Sequence, residues 1–258
     1  VDLELNGKAA IVTGGSRGIG LACARALAAE GCSLLLAARG KDGLHKTAAD
    51  LEAAGARVAT LAVDVTAPGA GAAIVEAAMT AFGRLDALIA NAGGVVGARS
   101  FTEADDAAWL GTFQLNVGHS VALLRAAVPH LAASGQGSAI FIASISGRNP
   151  MSSGAPYAAA KAGLIHAARS LAWELGPKHI RVNALSPGSI LFEGGGWARR
   201  KAEMPDVMAS FESTEFPWGR LGTPEEIASV AAFLASPRSA WINAADIPVD
   251  GGQRRPSL

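Results

Sequence analysis

The sequence predicts an α/β chain: a single doubly wound domain with a seven-stranded parallel sheet and helices on both faces. Three observations carry this. Short aliphatic, β-rich runs recur along the 258 residues, and alanine-rich stretches of helical period separate them. The runs are apolar throughout rather than alternating, the pattern of strands buried on both faces. The intervening stretches reach the length that crossovers between parallel strands require.

In chain order the predicted strands are Ala9–Thr13, Ser33–Ala37, Arg57–Val63, Leu85–Ala90, Ser138–Ala143, Arg181–Leu185 and Ile247–Val249. The first (AAIVT) runs into a glycine loop, the second (SLLLA) ends before Ala38-Arg39, and the last (IPV) meets Asp250-Gly251-Gly252. The predicted helices are Gly18–Ala29, Leu44–Ala54, Ala70–Phe82, Asp105–Ala132, Tyr157–Leu175 and Pro224–Ala235. No linker or fixed-period repeat divides them, so one domain over 1–258 is expected. Two stretches break the alternation: the polar Ser144–Pro156, and Ser186–Arg220, read as a long irregular segment with three successive glycines. Long loops at strand C-termini usually bind or cover ligands, so a substrate loop is expected at about 188–220.

Composition removes several classes of function. Lys+Arg and Asp+Glu both number 22, giving zero formal charge and no footprint for a nucleic-acid backbone. Half the residues are hydrophobic and 17% are charged, which argues against disorder. No apolar run approaches a membrane span. The opening Val1-Asp2-Leu3-Glu4 lacks the basic region and apolar stretch of a secretory signal. Cys23 and Cys32, if one helix runs through both, stand roughly 13 Å apart, too far for a disulfide. A reducing cytoplasm is the expected location. The five histidines (45, 119, 130, 166, 179) show no ligand spacing, so no catalytic metal is expected.

The loop Thr13-Gly14-Gly15-Ser16-Arg17-Gly18-Ile19-Gly20 joins the first strand to the first helix. Glycines let the backbone approach a pyrophosphate, and the helix start offers unpaired N–H groups. The loop alone also fits an ordinary glycine turn, but its place between the first strand and the first helix favours a dinucleotide site. NAD sites usually carry an acid at the end of the second strand; here Ala38 stands there, followed by Arg39. Either Arg17 or Arg39 alone also fits a solvated surface residue. Two guanidiniums without a carboxylate suit a ribose 2′-phosphate, so NADP(H) is preferred to NAD(H).

Tyr157 is the only tyrosine, and Lys161 follows four residues later on the same helix face. An adjacent ammonium would lower the phenol's pKa, although the pair alone also fits an ordinary helix contact. Ser144 ends the fifth strand, with Ser146 its nearest rival. Asn116 interrupts an otherwise apolar helix and needs a polar partner.

Together these residues resemble the short-chain dehydrogenase/reductase family, in its branch of roughly 250 residues, over nearly the whole chain. The matching motifs are the glycine loop, Asp64-Val65, Asn91-Ala92-Gly93, Asn116, Ser144, Tyr157-x-x-x-Lys161 and Pro187-Gly188. The resemblance implies a Rossmann-type fold and hydride transfer between a nicotinamide and a carbonyl or secondary alcohol. It implies that Tyr157 protonates the substrate oxygen and Ser144 orients it. Lys161 would hold the nicotinamide ribose and tune Tyr157, and Asn116 would hold a relay water. Gly14, Ser16, Arg17, Gly18, Ile19, Gly20 and Arg39 would line the phosphate end. Asp64 and Val65 would touch adenine; Asn91, Ala92 and Gly93 would support the cofactor-side strand. Pro187, Gly188 and Ile190 would flank the carboxamide. Three positions depart from the family pattern: Ala90 replaces an Asn, Phe192 replaces a cofactor-binding Thr, and Asn243-Ala244 replaces Thr-Gly.

Phe192, Trp197, Phe211, Phe216 and Trp218 suggest an apolar lid, or equally anchors for that segment. Arg199-Arg200-Lys201 reads as a solvated helix face before a dock for a phosphorylated carrier. A 3-oxoacyl thioester is the first specific substrate, by analogy alone. The alternatives are an NAD-dependent alcohol or polyol dehydrogenase and a non-catalytic cofactor sensor. Family habit implies a homotetramer.

Overall fold

A computed structural model describes residues 2–151 and 153–253; Val1, Ser152 and 254–258 lie outside the described residues. Seven strands form one parallel sheet: β1 Ala9–Thr13, β2 Ser33–Ala38, β3 Val58–Ala62, β4 Ala87–Ala90, β5 Gly137–Ile142, β6 Ile180–Pro187 and β7 Asp246–Val249. Their order is β3-β2-β1-β4-β5-β6-β7. Ile11 aligns with both Leu35 and Leu88, so the central register is fixed by strand-long aliphatic runs.

Successive side chains of a strand face opposite ways, and here both faces are covered. Val12, Leu36, Ile89 and Leu185 enter one core with helices α1 (Gly18–Ala29) and α9 (Pro224–Ala235). Ile11, Leu35, Leu88 and Phe141 enter the other, against α3 (Ala70–Phe82), α5 (His119–Ala133) and α6 (Ala155–Leu175). Two buried faces are why the strands lack alternation. The strand order reverses between β1 and β4, and the crevice beyond their C-terminal ends is where α/β sheets receive ligands.

Several elements differ from expectation. The helix expected over Asp105–Ala132 is three pieces: α4 (Asp106–Phe113), a π-helical turn Gln114–Gly118, then α5. Asp105 caps α4 by accepting from Ala108 N at 2.8 Å. The segment expected to be irregular over Ser186–Arg220 carries two helices, α7 (Gly196–Glu203) and α8 (Pro205–Glu215). The helix expected from Leu44 begins earlier, as α2 Lys41–Ala53. Helix α1 stops before Cys32, because the chain turns through Gly31 at φ +80°. Both cysteines are buried free thiols, and desolvation pushes each up to about 12.

Candidate active site

The glycine loop is built for close backbone approach. Gly14 and Gly18 take positive φ, +69° and +54°, where a side chain would strain the turn. A Cβ on Gly14 would lie 2.7 Å from Asn91 Nδ2. That amide donates to Thr13 O at 2.9 Å, and Thr13 Oγ1 accepts from Asn91 N and Ala92 N at 3.0 and 3.1 Å. The ends of β1 and β4 are thereby locked together beneath the loop. The first-turn N–H groups of Ile19 and Gly20 precede the helix's bond from Leu21 N to Arg17 O, so the helix itself gives them no acceptor.

Ala38 is the last residue of β2 and Arg39 the first exposed residue beyond it; Arg17 is exposed at the N-terminus of α1. A Cβ on Gly43 would touch Ser16 at 3.4 Å, placing the start of α2 beside the loop. Neither arginine forms an ion pair among the described residues. Asp64 holds Thr66 through N and Oγ1 at 2.9 and 2.7 Å, which with Arg39 nearby keeps its carboxyl below the usual range. Val65 follows it, half-buried against the core. A tight backbone cradle of this kind fits a dinucleotide.

Ser144, Tyr157, Lys161 and Asn116 converge at the C-terminal end of the sheet. Ser144 lies just after β5, and its Oγ accepts from Ser146 N at 3.2 Å and Ser146 Oγ at 2.8 Å. With its lone pairs engaged, Ser144 has its own proton to donate. Ser146, the rival at sequence level, is therefore its support. Lys161 is buried and donates to Ile142 O at 2.7 Å, with its ammonium 5.5 Å from the Tyr157 ring centre. Asn116 sits in the π-helical turn. Its Nδ2 donates to Gly94 O and Thr112 O, both at 2.7 Å, and its Oδ1 accepts from Gly94 N. A polar residue inside this helix is explained: it fastens the loop after β4.

Burial raises Tyr157 above its ordinary 10, opposed by the hydrogen bond with Ser144 and by the field of Arg99. Lys161 is not among the groups that lower it. Burial drives Lys161 itself down to about 7. His119, also buried, is driven down to about 4; its Nδ1 is 2.6 Å from Leu115 O. Its neighbour Ser120 donates to Asn116 O at 3.1 Å.

Gly93 tests how tight this cluster is. A Cβ there would lie 2.7 Å from Asn116 Oδ1 and 3.1 Å from Lys161 Nζ. Gly93→Ala is expected to lower kcat/KM roughly 10- to 100-fold, because small misplacements of catalytic groups are costly. Stability should fall by about 1–3 kcal/mol from overpacking. Steady-state kinetics beside thermal unfolding checks both, and undiminished turnover would show the cluster to be slack.

The segment after β6 closes the front. Ile190 is buried and bridges in parallel to Gly222, and Gly188 N donates to Val249 O at 3.0 Å, so Pro187–Ile190 is firmly held. Most of the aromatics anchor the segment itself. Trp197 stacks on Phe211 at 5.2 Å, Phe211 meets Phe216 edge-on at 5.6 Å, and Leu191, Met208 and Leu221 complete the cluster. Phe192 rests on the glycine loop, 2.9 Å from where a Cβ on Gly18 would lie. Only Trp218 of the five is largely exposed. The basic run is internally engaged: Lys201 pairs with Glu212 at 2.7 Å, Arg199 reaches Glu203 at 4.0 Å, and Arg200 lies over Trp197. A cavity of about 200 Å³ under Trp218, lined by Gly188, Phe216 and Val249, does not include Ser144, Tyr157 or Lys161.

Residues 14–254 match the family model described as enoyl-(acyl carrier protein) reductase. An oxidoreductase of Mycobacterium tuberculosis is 40% identical over 257 residues, 99% of this chain and 95% of its own. L-sorbose reductase from Gluconobacter frateurii, solved with NADPH and L-sorbose, superposes with TM-score 0.94 at 35% identity over the whole of both chains. A 7α-hydroxysteroid dehydrogenase solved with NADH and 7-oxo glycochenodeoxycholic acid gives 0.90 at 30% identity, covering 97% of this chain and 96% of that one. The chain belongs to the short-chain dehydrogenase/reductase family. It is an NAD(P)-dependent oxidoreductase acting on CH–OH groups and the corresponding carbonyls.

Proposed function

We propose that the protein reduces a ketone to a secondary alcohol with NADPH, using Tyr157 as proton donor and Ser144 to hold the oxygen. One observation carries this reading: both Ser146 groups donate to Ser144 Oγ, which leaves the Ser144 proton for its hydrogen bond with the Tyr157 hydroxyl. Two O–H donors side by side suit a carbonyl oxygen gaining negative charge. A bound nicotinamide supplies the hydride. Tyr157 gives its proton to the oxygen as carbon receives that hydride, so the product is the neutral alcohol. Lys161 holds the ribose side, and Asn116 keeps the Gly93–Gly94 loop clear.

NADPH is favoured over NADH by Arg17, Arg39 and the absence of an acid at Ala38. The 2′-phosphate would meet two guanidiniums there. The solved relatives span both nucleotides, so the discriminating residues are this chain's own. The engaged basic run on α7 offers little to a phosphorylated carrier, which favours a compact ketone over a 3-oxoacyl thioester. Leu110, Phe113 and Trp173 on the α4/α6 side are exposed, as are Phe233 and Trp241 near β7; these apolar faces support assembly into a tetramer.

The test follows oxidation of NADPH and NADH against cyclic ketones, a keto-sugar and acetoacetyl thioester, beside Ala38→Asp. Placing a carboxylate against the 2′-phosphate costs several kcal/mol, so the NADPH/NADH ratio of kcat/KM should fall roughly 100-fold. An unchanged ratio would remove Ala38 and its neighbours from nucleotide selection. Acetoacetyl thioester turned over in preference to every ketone would replace the compact-ketone reading.

A further inference from the structure

Arg99 belongs to the loop that leaves β4, on the same side of the sheet as Ser144 and Tyr157. Its carbonyl accepts from Gly154 N at 3.0 Å, and Gly154 is the residue immediately before α6. Tyr157 is the third residue of that helix, so this bond ties Arg99 to the doorway of the candidate site. The guanidinium's charge is one of the two influences that hold the Tyr157 hydroxyl down against burial. Yet among the described residues its side chain makes no ion pair and no hydrogen bond.

Arg17 and Arg39 share this freedom at the phosphate end, whereas three other cations are engaged by carboxylates. Arg148 is held by Asp246 at 3.0 Å, Lys201 by Glu212 at 2.7 Å, and Arg220 by Glu226 at 2.6 Å. Acidic residues stand on Arg99's own stretch without engaging it: Asp105 caps α4, and Glu103 forms no ion pair. An exposed arginine at a loop tip is ordinary. One stapled beside a proton-donating hydroxyl, with its fork free, is placed to receive a ligand anion.

We propose that the substrate carries a carboxylate that pairs with Arg99 while its carbonyl oxygen lies between Ser144 and Tyr157. This rests on the reading of Ser144 and Tyr157 as the carbonyl site. The guanidinium fork matches a carboxylate in a planar, two-bonded fit, which fixes orientation as well as adding affinity. Anchoring one end of a keto acid turns the reduction of its far carbonyl into a positioned, effectively unimolecular event.

The experiment compares 4-oxocyclohexanecarboxylate with its methyl ester, in the unmodified protein, Arg99→Gln and Arg99→Lys. The readout is the acid-to-ester ratio of kcat/KM, which a general loss of activity does not move. The unmodified protein should favour the acid by about tenfold or more, as expected for a charge-assisted hydrogen bond. Arg99→Gln should bring the ratio near one, and Arg99→Lys should restore part of it. A ratio near one in the unmodified protein, or one that Arg99→Gln leaves unchanged, overturns the proposal while leaving the carbonyl reading in place. Should neither probe turn over, the carbonyl reading is what has failed, and calorimetry still decides the anion site. Cyclohexanecarboxylate should bind the NADPH-loaded protein about tenfold more tightly than cyclohexanecarboxamide, with the preference lost in Arg99→Gln. Equal binding of the two overturns the anion site.

Discussion

Replacing Tyr157 with phenylalanine is expected to lower kcat/KM for ketone reduction about 1,000-fold, within the range spanned by general acids. The substitution removes one oxygen and leaves the ring packed beside Lys161, whose ammonium lies 5.5 Å from the ring centre. Cofactor affinity should therefore change little, and the loss should fall in kcat. Ser144 would still hold the substrate oxygen, so a residual rate is expected. The direction of the Tyr157 shift adds a pH signature. Burial lifts the phenol above 10, so the proton donor is loaded across the physiological range and reduction needs no further ionisation of Tyr157. Alcohol oxidation needs the phenolate instead, and its rate should climb with pH throughout the accessible alkaline range. Stopped-flow reduction and a pH series in the oxidative direction check both. Retained turnover in Tyr157→Phe would remove the residue from its role.

Much of this site was legible because its chemistry needs rare residues at fixed spacing. A sole tyrosine four residues before a lysine shares a helix face, and four glycines within Thr13–Gly20, where strand meets helix, leave little else to do. The seven strands were legible because burial on both faces makes them unbroken apolar runs. What escaped depends on contacts between distant segments. Arg99 reads as a loop residue until Gly154 N binds its carbonyl. Ser146 and Ser144 look equivalent until the Ser146 hydroxyl turns toward its neighbour. The π-helical turn around Asn116 has no local signature beyond an ill-fitting Asn, since the turn exists to reach Gly94. Helix α8 was missed although Pro205 opens it and Asp206 lies in its first turn, both N-terminal signals. The glycines at 194–196 and the scattered aromatics outweighed them.

Lys161→Met is expected to stabilise the protein at pH 7 by about 1–3 kcal/mol while reducing turnover by about 100-fold or more. The gain follows from the cost of a buried ammonium. Burial moves Lys161 from 10.5 to about 7, which corresponds to roughly 4–5 kcal/mol of disfavoured charge. Against this stands the bond to Ile142 O, whose loss leaves a buried carbonyl unpaired at a cost of about 1–3 kcal/mol. Methionine fills similar space, so packing enters weakly. The pH dependence separates this account from a packing effect. Below pH 7 both folded and unfolded lysine are protonated, and the native state bears the whole penalty. Between 7 and 10.5 the unfolded chain binds more protons than the native one, so wild-type stability rises with pH and its deficit against the variant narrows. Urea unfolding of both proteins without added nucleotide, from pH 7 upward, measures that gap. A gap that stays constant would mean a packing effect, and a variant less stable at pH 7 would mean that Lys161 is held charged by a partner at no cost. If the gap closes as described, Lys161 is a residue kept against stability, and binding and proton transfer at the neighbouring Tyr157 supply the reason.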